Sequence, residues 1–163
     1  MQIEKITSEA GRFMAISQLL LNKYDVRIIV GRSKHINIFV FMPETERMYK
    51  LDIRTTYGNP SKSKDFGETL SWTMGSSEEE RKDSNLLYFF VHLHEKGKDA
   101  RFFIVPSETV QKYIKKSHAY WLDSPKNRKD NEIRKFRLGF AGNKYAIPTP
   151  LAEDFENKWS YLE

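Results

Sequence analysis

The chain has 163 residues, 27 Lys and Arg against 22 Asp and Glu, a formal net charge of +5, and no cysteine. A chain of this length is expected to form one domain, 1–163, that buries roughly two-thirds of its unfolded surface without disulfide or metal staples. The absence of cysteine excludes a disulfide framework, and no apolar run approaches the roughly 20 residues of a membrane span. With an N-terminus unlike a signal peptide, these features predict a soluble cytoplasmic protein without a membrane partner.

The first predicted helix runs from Ser8 to Asn22, with Thr7 or Ser8 as its N-cap. Its apolar stripe, at helical spacing, consists of Phe13, Ile16, Leu19 and Leu20. A strand rich in Val and Ile follows from Tyr24 to Val30 and ends in a basic turn that contains Arg32 and Lys34.

A β-hairpin is the strongest local signal of the chain. Two β-type runs, Ile36 to Met42 and Met48 to Thr56, flank the polar turn 43–47. Because side chains alternate along a strand, Asp52 shares a face with its cationic neighbours Lys50 and Arg54. Asn37 is expected near Asp52 if the register of the hairpin allows it.

The middle of the chain alternates polar loops with apolar strands. Residues 57–64 predict an exposed loop, Leu70 to Met74 a short strand, and residues 75–84 a mobile loop whose glutamates are solvated. Leu86 to His94 reads as a strand buried on both faces, with Phe102 to Val105 as its hairpin partner. His92 and His94 are expected to be a partly buried or surface pair rather than metal ligands.

Ser107 is predicted to cap a second helix that ends before Pro125. Its apolar face consists of Val110, Tyr113, Ile114, Ser117 and Trp121. Residues 123–135 should form a solvated loop, Phe136 to Phe140 a strand, and the residues after Pro150 a last helix. The apolar positions of that last helix are Leu151, Phe155, Trp159 and Leu162.

These elements predict an α/β fold with a central mixed β-sheet of about five strands flanked by helices. The charge is unevenly distributed along it: residues 96–137 hold 12 Lys and Arg against 5 Asp and Glu, which leaves 15 against 17 elsewhere. A basic segment can hold the phosphates of nucleic acid, but a Lys-rich solvated surface explains it equally well.

Four stretches occur in a telling order: Ser8-Glu9-Ala10-Gly11 at the first helix, then Val26 to Val30, Ile36 to Val40 and Leu51 to Thr55. In this order they resemble the PD-(D/E)XK, or restriction-endonuclease-like, nuclease family. The later stretch from Phe102 to Ser107, with His118 and Trp121 in the next helix, is similar to small members of the same group. Each motif is short, so the specificity lies in their order and spacing.

In that family a helix glutamate, a strand aspartate and an acidic residue two positions before a lysine surround a divalent cation. Oxygen ligands hold Mg²⁺, which polarises the phosphodiester, while the lysine favours formation of hydroxide or of the developing anion. The resemblance therefore implies a restriction-endonuclease-like fold with a metal-dependent site on the first helix and the hairpin.

The matching positions of this chain depart from that pattern. Arg12 stands where the helix glutamate is expected, with Glu9 one turn earlier as a substitute. Asn37 stands at the strand aspartate, and Arg54 replaces the lysine beside the retained Asp52. Asn37 offers only a neutral carbonyl, and the guanidinium of Arg54 stays protonated and cannot act as a base. The resemblance thus implies a degenerate catalytic site.

Our first hypothesis is a nuclease-fold protein that binds nucleic acid, has lost most or all catalysis and needs no cofactor. The predicted binding residues are Arg12, Arg32, Lys34, Arg54, Lys112, Lys115 and Lys116. Two alternatives stay open. One is a structural or protein-interaction module, as a homodimer, without a nucleic-acid role; the other is an active endonuclease whose Mg²⁺ or Mn²⁺ is held by Glu9 and Asp52.

Overall fold

The structure, a computed structural model, describes residues 2–31, 36–94, 100–124 and 128–163. Its helices are α1 (Gln2–Leu21), α2 (Ser107–Leu122) and α3 (Ala152–Phe155), with 3₁₀ helices at Ser76–Glu79 and Trp159–Leu162. Its strands are β1 (Asp25–Val30), β2 (Ile36–Met42), β3 (Arg47–Tyr57), β4 (Ser61–Ser63), β5 (Gly67–Gly75), β6 (Leu86–Leu93), β7 (Arg101–Pro106) and β8 (Ile133–Gly139).

The strands form a five-stranded sheet in the order β1-β2-β3-β6-β7 and a three-stranded sheet in the order β4-β5-β8. The larger sheet is mixed, because β3 and β6 are parallel while its other neighbours are antiparallel. The predicted α/β fold with a five-stranded mixed sheet flanked by helices is confirmed, and so is the β2–β3 hairpin. The smaller sheet was not predicted as a separate sheet.

Strand β6 is the centre of the core, as its continuous apolar run predicted. Leu87, Phe89 and Val91 pack on one face of the sheet with Ala15 and Leu19 of α1. The alternate residues of β6 pack on the other face with the smaller sheet and α2. Trp72 of β5 joins the two sheets, since its indole N–H donates to the Val91 carbonyl at 3.0 Å.

Helix α1 differs from its prediction in both start and face. It begins at Gln2, and Ser8 lies inside it rather than at the cap; no breaker precedes Ser8, and Glu4 and Lys5 favour a helix. Its buried face contains Ala15 and Leu19, whereas Phe13 and Leu20 of the predicted stripe are exposed. Small residues lie against the sheet because they allow the helix backbone to come close.

Three other boundaries also differ. Ser107 is the first residue of α2 rather than its cap, and its hydroxyl donates to the Asp83 carbonyl at 2.7 Å. Part of the predicted solvated loop 123–135 belongs to β8, where Arg134 is buried. The predicted C-terminal helix is broken into α3 and a 3₁₀ helix at Asn157, which has a positive φ of 51°.

The two edges of the larger sheet are unlike. The outer side of β7 is covered by the C-terminal segment, where Glu156 bridges Phe103 and the Asn157 N–H donates to the Phe102 carbonyl at 2.9 Å. Strand β1 has no outer partner among the described residues, and Ile29 on it is 54% exposed. A homodimer joined by a sheet edge stays a prediction, and β1 is the edge open to it. No helix of the described chain is long and apolar enough to cross a membrane.

Candidate functional site

A cavity of about 330 Å³ opens where β2 and β3 separate, and we call it the fork pocket. The pairing between the two strands ends at Ile38 and Leu51, whereas β2 stays paired with β1 beyond that point, through Asn37 and Ile29. Beyond this point β2 no longer pairs with the edge of β3, and residues from both faces of β3 line the pocket. Its polar lining consists of Arg12, Asn37, Lys50, Asp52 and Arg81.

Asn37 and Asp52 line the same pocket, although the pairing of the hairpin stops one step before them. One step beyond the last pair, Ile38 with Leu51, the same register would set Asn37 opposite Asp52. Both residues line the fork pocket. Asp52 also shares a strand face with Lys50 and Arg54, while Leu51 on the opposite face is buried under α1.

Arg12 reaches the fork pocket because α1 crosses the sheet at very short range. Gly11 is buried against Thr55 of β3, and a β-carbon at this glycine would overlap the Thr55 side chain. Only glycine allows the helix backbone so close to the strand, and the next residue, Arg12, then lies at the pocket.

Asp52 is held by two guanidinium groups. Arg54 donates to it twice, from Nε to Oδ1 at 2.9 Å and from Nη2 to Oδ2 at 3.0 Å. Nη1 of Arg81 lies 3.5 Å from Oδ2. Both carboxylate oxygens are therefore engaged, in the bidentate geometry that guanidinium and carboxylate groups favour.

A second carboxylate, Glu78, completes what we call the Asp52 cluster, which consists of Asp52, Arg54, Glu78, Arg81 and Tyr88. The Glu78 side chain is only 10% exposed and lies 3.1 Å from Nη1 of Arg81 and 3.4 Å from Nη2 of Arg54. The Tyr88 hydroxyl donates to its Oε2. The 3₁₀ helix Ser76–Glu79 brings Glu78 to the sheet, and the parallel pairing of β3 with β6 sets Tyr88 beside Asp52.

The pKa shifts in the cluster follow from burial and neighbouring charge. Burial raises the pKa of Tyr88, and its hydrogen bond to Glu78 raises it further, so the phenol stays protonated. Burial alone would lower the pKa of Arg54, but the charge of Asp52 and its hydrogen bonds outweigh it and hold that pKa above its usual value. Arg54 thus keeps its charge at every physiological pH.

Cationic groups outnumber carboxylates around the fork pocket. Arg54 and Arg81 balance Asp52 and Glu78, and Arg12 and Lys50 add two further positive charges. Glu9 offsets one of them, since its Oε1 lies 3.3 Å from Nη1 of Arg12, one turn along α1. The pocket therefore favours an anion over a cation.

The remaining predicted site residues are scattered. Glu9 contacts Arg12 but is not part of the pocket lining, and the described residues contain no group of three or more His, Asp or Glu placed to hold a metal ion. Arg32 and Lys34 lie outside the described residues. On the exposed face of α2, Lys112 pairs with Glu108 at 2.5 Å and Lys115 with Glu80 at 2.7 Å, while Lys116 is exposed.

Sequence reasoning missed Glu78, Arg81 and Tyr88. It predicted that the glutamates of this segment are solvated. That prediction is wrong for Glu78, which is buried, and for Glu79, which pairs with the buried Arg134. The spacing of three between Glu78 and Arg81 is a usable signal for a mutual ion pair. Nothing in the sequence places that pair beside Asp52, because the approach depends on long-range strand pairing.

No model of a protein family matches this chain, and no curated protein is similar enough in sequence to match it. Among solved structures, a bacterial homing endonuclease is similar at 13% sequence identity with a TM-score of 0.49. The similarity covers 97% of this chain and 91% of that chain. A likeness this distant does not decide function, which has to come from the geometry of the fork pocket and the Asp52 cluster.

Proposed function

We propose that this chain is a nucleic-acid-binding protein of PD-(D/E)XK type whose metal-dependent phosphodiesterase site is degenerate. One observation carries the proposal: Arg12, Lys50 and Arg81 line a single cavity in which the one lining carboxylate, Asp52, is already engaged by guanidinium groups. A phosphodiester group is the anion that such a set of donors recognises best.

The size and opening of the fork pocket suit a backbone phosphate. A cavity of about 330 Å³ admits one phosphate with its sugar, near the lower end of the range of about 300 to 1,000 Å³ typical of ligand sites. The arginines come from α1 and from the segment after the 3₁₀ helix Ser76–Glu79, so they approach the pocket from two sides. Two approaching donors fix the position of a phosphate better than one flexible side chain does.

The same contacts work against a resident divalent cation. A metal at Asp52 would displace Arg54 or Arg81, which lie 2.9 and 3.5 Å from its oxygens. A guanidinium about 4 Å from a divalent ion costs about 8 kcal/mol at an effective dielectric of 20, twice the value for unit charges. The alternative of an active Mg²⁺ or Mn²⁺ endonuclease through Glu9 and Asp52 also requires Glu9 to leave Arg12.

Arg12→Ala tests the proposal against a matched arginine. We expect the affinity for a fluorescein-labelled 20-base-pair duplex, measured by anisotropy at low salt, to fall about five- to tenfold, and the slope of log K against log salt to fall by about 1. Arg47→Ala removes an exposed arginine at the opposite end of the hairpin and should change neither value. Unchanged affinity and slope in both Arg12→Ala and Arg81→Ala protein would refute the fork pocket as the binding site.

A further inference from the structure

A second cavity, of about 290 Å³, lies between α2 and β8 and is separate from the fork pocket. We call it the aromatic pocket and define it by Phe66, His118, Trp121, Asn131, Lys135 and Arg137. None of these residues belongs to the Asp52 cluster. The proposed phosphate site therefore leaves the aromatic pocket unexplained.

Two aromatic side chains form its apolar walls. Trp121 is only partly buried, and the His118 ring stacks on it at 5.4 Å between centroids and 21° between planes. Phe66 is buried and packs edge-on against Tyr120. Phe66 therefore forms the floor of the pocket. The part-exposed Trp121, which also has the Arg128 guanidinium 4.8 Å from its ring centre, is the aromatic surface that a ligand ring can contact.

Two cations project beside that aromatic surface. Lys135 and Arg137 are two residues apart on β8, so they share one face of the strand. The guanidinium of Arg137 lies 3.9 Å from the centre of the Phe66 ring. Within the described chain neither cation pairs with a carboxylate, whereas the nearby His118 has Asp130 at 2.7 Å. Positive charge without a counter-charge, next to an aromatic ring, favours a ligand that carries an anionic group beside a flat ring.

We propose that the aromatic pocket binds one unpaired nucleotide, with the base against Trp121 and the phosphate on Lys135 and Arg137. A cavity of this volume holds one base and excludes a duplex. Aromatic stacking of splayed bases with nearby cations is the general means of single-strand recognition. This proposal rests on the proposed function only in taking a nucleic acid as the source of the nucleotide. A free mononucleotide has the same base and phosphate.

The probe is adenosine monophosphate, titrated calorimetrically into the full chain, with adenosine and inorganic phosphate as separate titrations. We expect saturable binding of the monophosphate that is stronger than that of either fragment. Lys135→Ala should lower the affinity for the monophosphate about three- to tenfold and leave the affinity for adenosine unchanged, because it removes only a charged contact. Trp121→Ala should lower both affinities by about tenfold, because it removes the stacking surface.

The matched control is a lysine outside both pockets. Lys144→Ala removes an exposed lysine and should bind the monophosphate like the unaltered chain. Lys135 is exposed, so its removal should not disturb folding even if Trp121→Ala does. The proposal is wrong if the monophosphate shows no saturable binding at millimolar concentration, or if Lys135→Ala binds it as tightly as Lys144→Ala.

Discussion

Asp52 has a different role here from that of a metal-binding carboxylate. It accepts from Arg54 through both oxygens and lies 3.5 Å from Arg81, so it restrains Arg81, one of the cations that we assign to phosphate binding. In a working metal site, neutralising this carboxylate would abolish function. In a phosphate site, neutralising Asp52 would instead leave the neighbouring guanidinium groups free to contact the ligand.

Asp52→Asn should therefore strengthen nucleic-acid binding, by about two- to fivefold at low salt, because the charge around the fork pocket becomes one unit more positive. The free energy of unfolding should fall by about 1 to 2 kcal/mol, since a partly buried ion pair is lost. Anisotropy titration and urea unfolding measure the two effects. Asp154→Asn changes the net charge equally at an exposed position on α3 and should show neither effect; an Asp52→Asn protein that binds more weakly would contradict the account.

His92 predicts how stability depends on pH. Burial lowers its pKa below the ordinary 6.5, and Arg101 and His94 add to this, while its hydrogen bond to the Gly58 carbonyl opposes it. The unfolded chain then binds more protons than the folded chain as pH falls through 6.5, so stability present above that pH is lost below it.

Urea unfolding between pH 8 and pH 5 should show this loss, with a slope from His92 of at most about 1.4 kcal/mol per pH unit. His92→Gln keeps a donor for Gly58 but does not titrate, and its stability should fall less steeply. Parallel curves for the two proteins would show that His92 contributes nothing to the pH dependence.

For single residues, the local sequence pattern predicted positions that depend on adjacent strands. It missed residues that reach the site from distant segments. Asn37 and Asp52 line one pocket at the place where the pairing of a single hairpin ends, and alternation and a short turn largely fix the register of that hairpin. Glu78 reaches the cluster from a segment 24 residues away from Arg54, through a 3₁₀ helix with no apolar pattern. Its burial depends on tertiary contacts that composition does not reveal.

Among the elements, those with strong patterns were predicted best. Strand β6 and its partner β7 have long apolar runs that leave little choice of structure. The predicted buried face of α1 was wrong in part, because the prediction assumed that the largest apolar side chains are buried. Instead Gly11 and Ala15 lie against the sheet, where their small size allows close packing, and Phe13 is exposed. The C-terminal pattern was right for the burial of Phe155 and Leu162 but wrong in continuing one helix through Asn157.

Gly11→Ala tests the close contact of α1 with β3. In an unconstrained helix this change stabilises by roughly 0.5 to 1 kcal/mol, but here the new methyl overlaps Thr55. We expect a net loss of about 1 to 3 kcal/mol in thermal or urea unfolding, as for other overpacked sites.

The double variant Gly11→Ala with Thr55→Ala should recover most of that loss, because it removes the atoms that the methyl meets. Ser17→Ala, at an exposed position of the same helix, controls for helix propensity and should be neutral or slightly stabilising. If Gly11→Ala were as stable as the unaltered chain, α1 would not depend on this contact and the positioning of Arg12 would need another cause.

For the molecule as a whole, the fold class was predictable and the second sheet was not. The apolar strands required a sheet covered on both faces, and helices at each end of the chain could supply the cover. The pairing of β5 with β8 joins residues more than 50 positions apart, from Gly75 with Ile133 to Thr69 with Gly139. Short polar-flanked strands give no signal for a partner at that distance.

The central claim is that the chain binds nucleic acid without requiring a metal. It is tested most directly by one anisotropy titration of the full chain with a labelled duplex, from 25 to about 300 mM salt, in EDTA and again in Mg²⁺, with the strands then resolved on a denaturing gel. We predict binding in EDTA that weakens linearly in log salt, and intact strands after incubation with Mg²⁺. Absence of affinity at the lowest salt, or Mg²⁺-dependent cleavage that disappears in Asp52→Ala protein, would contradict the account.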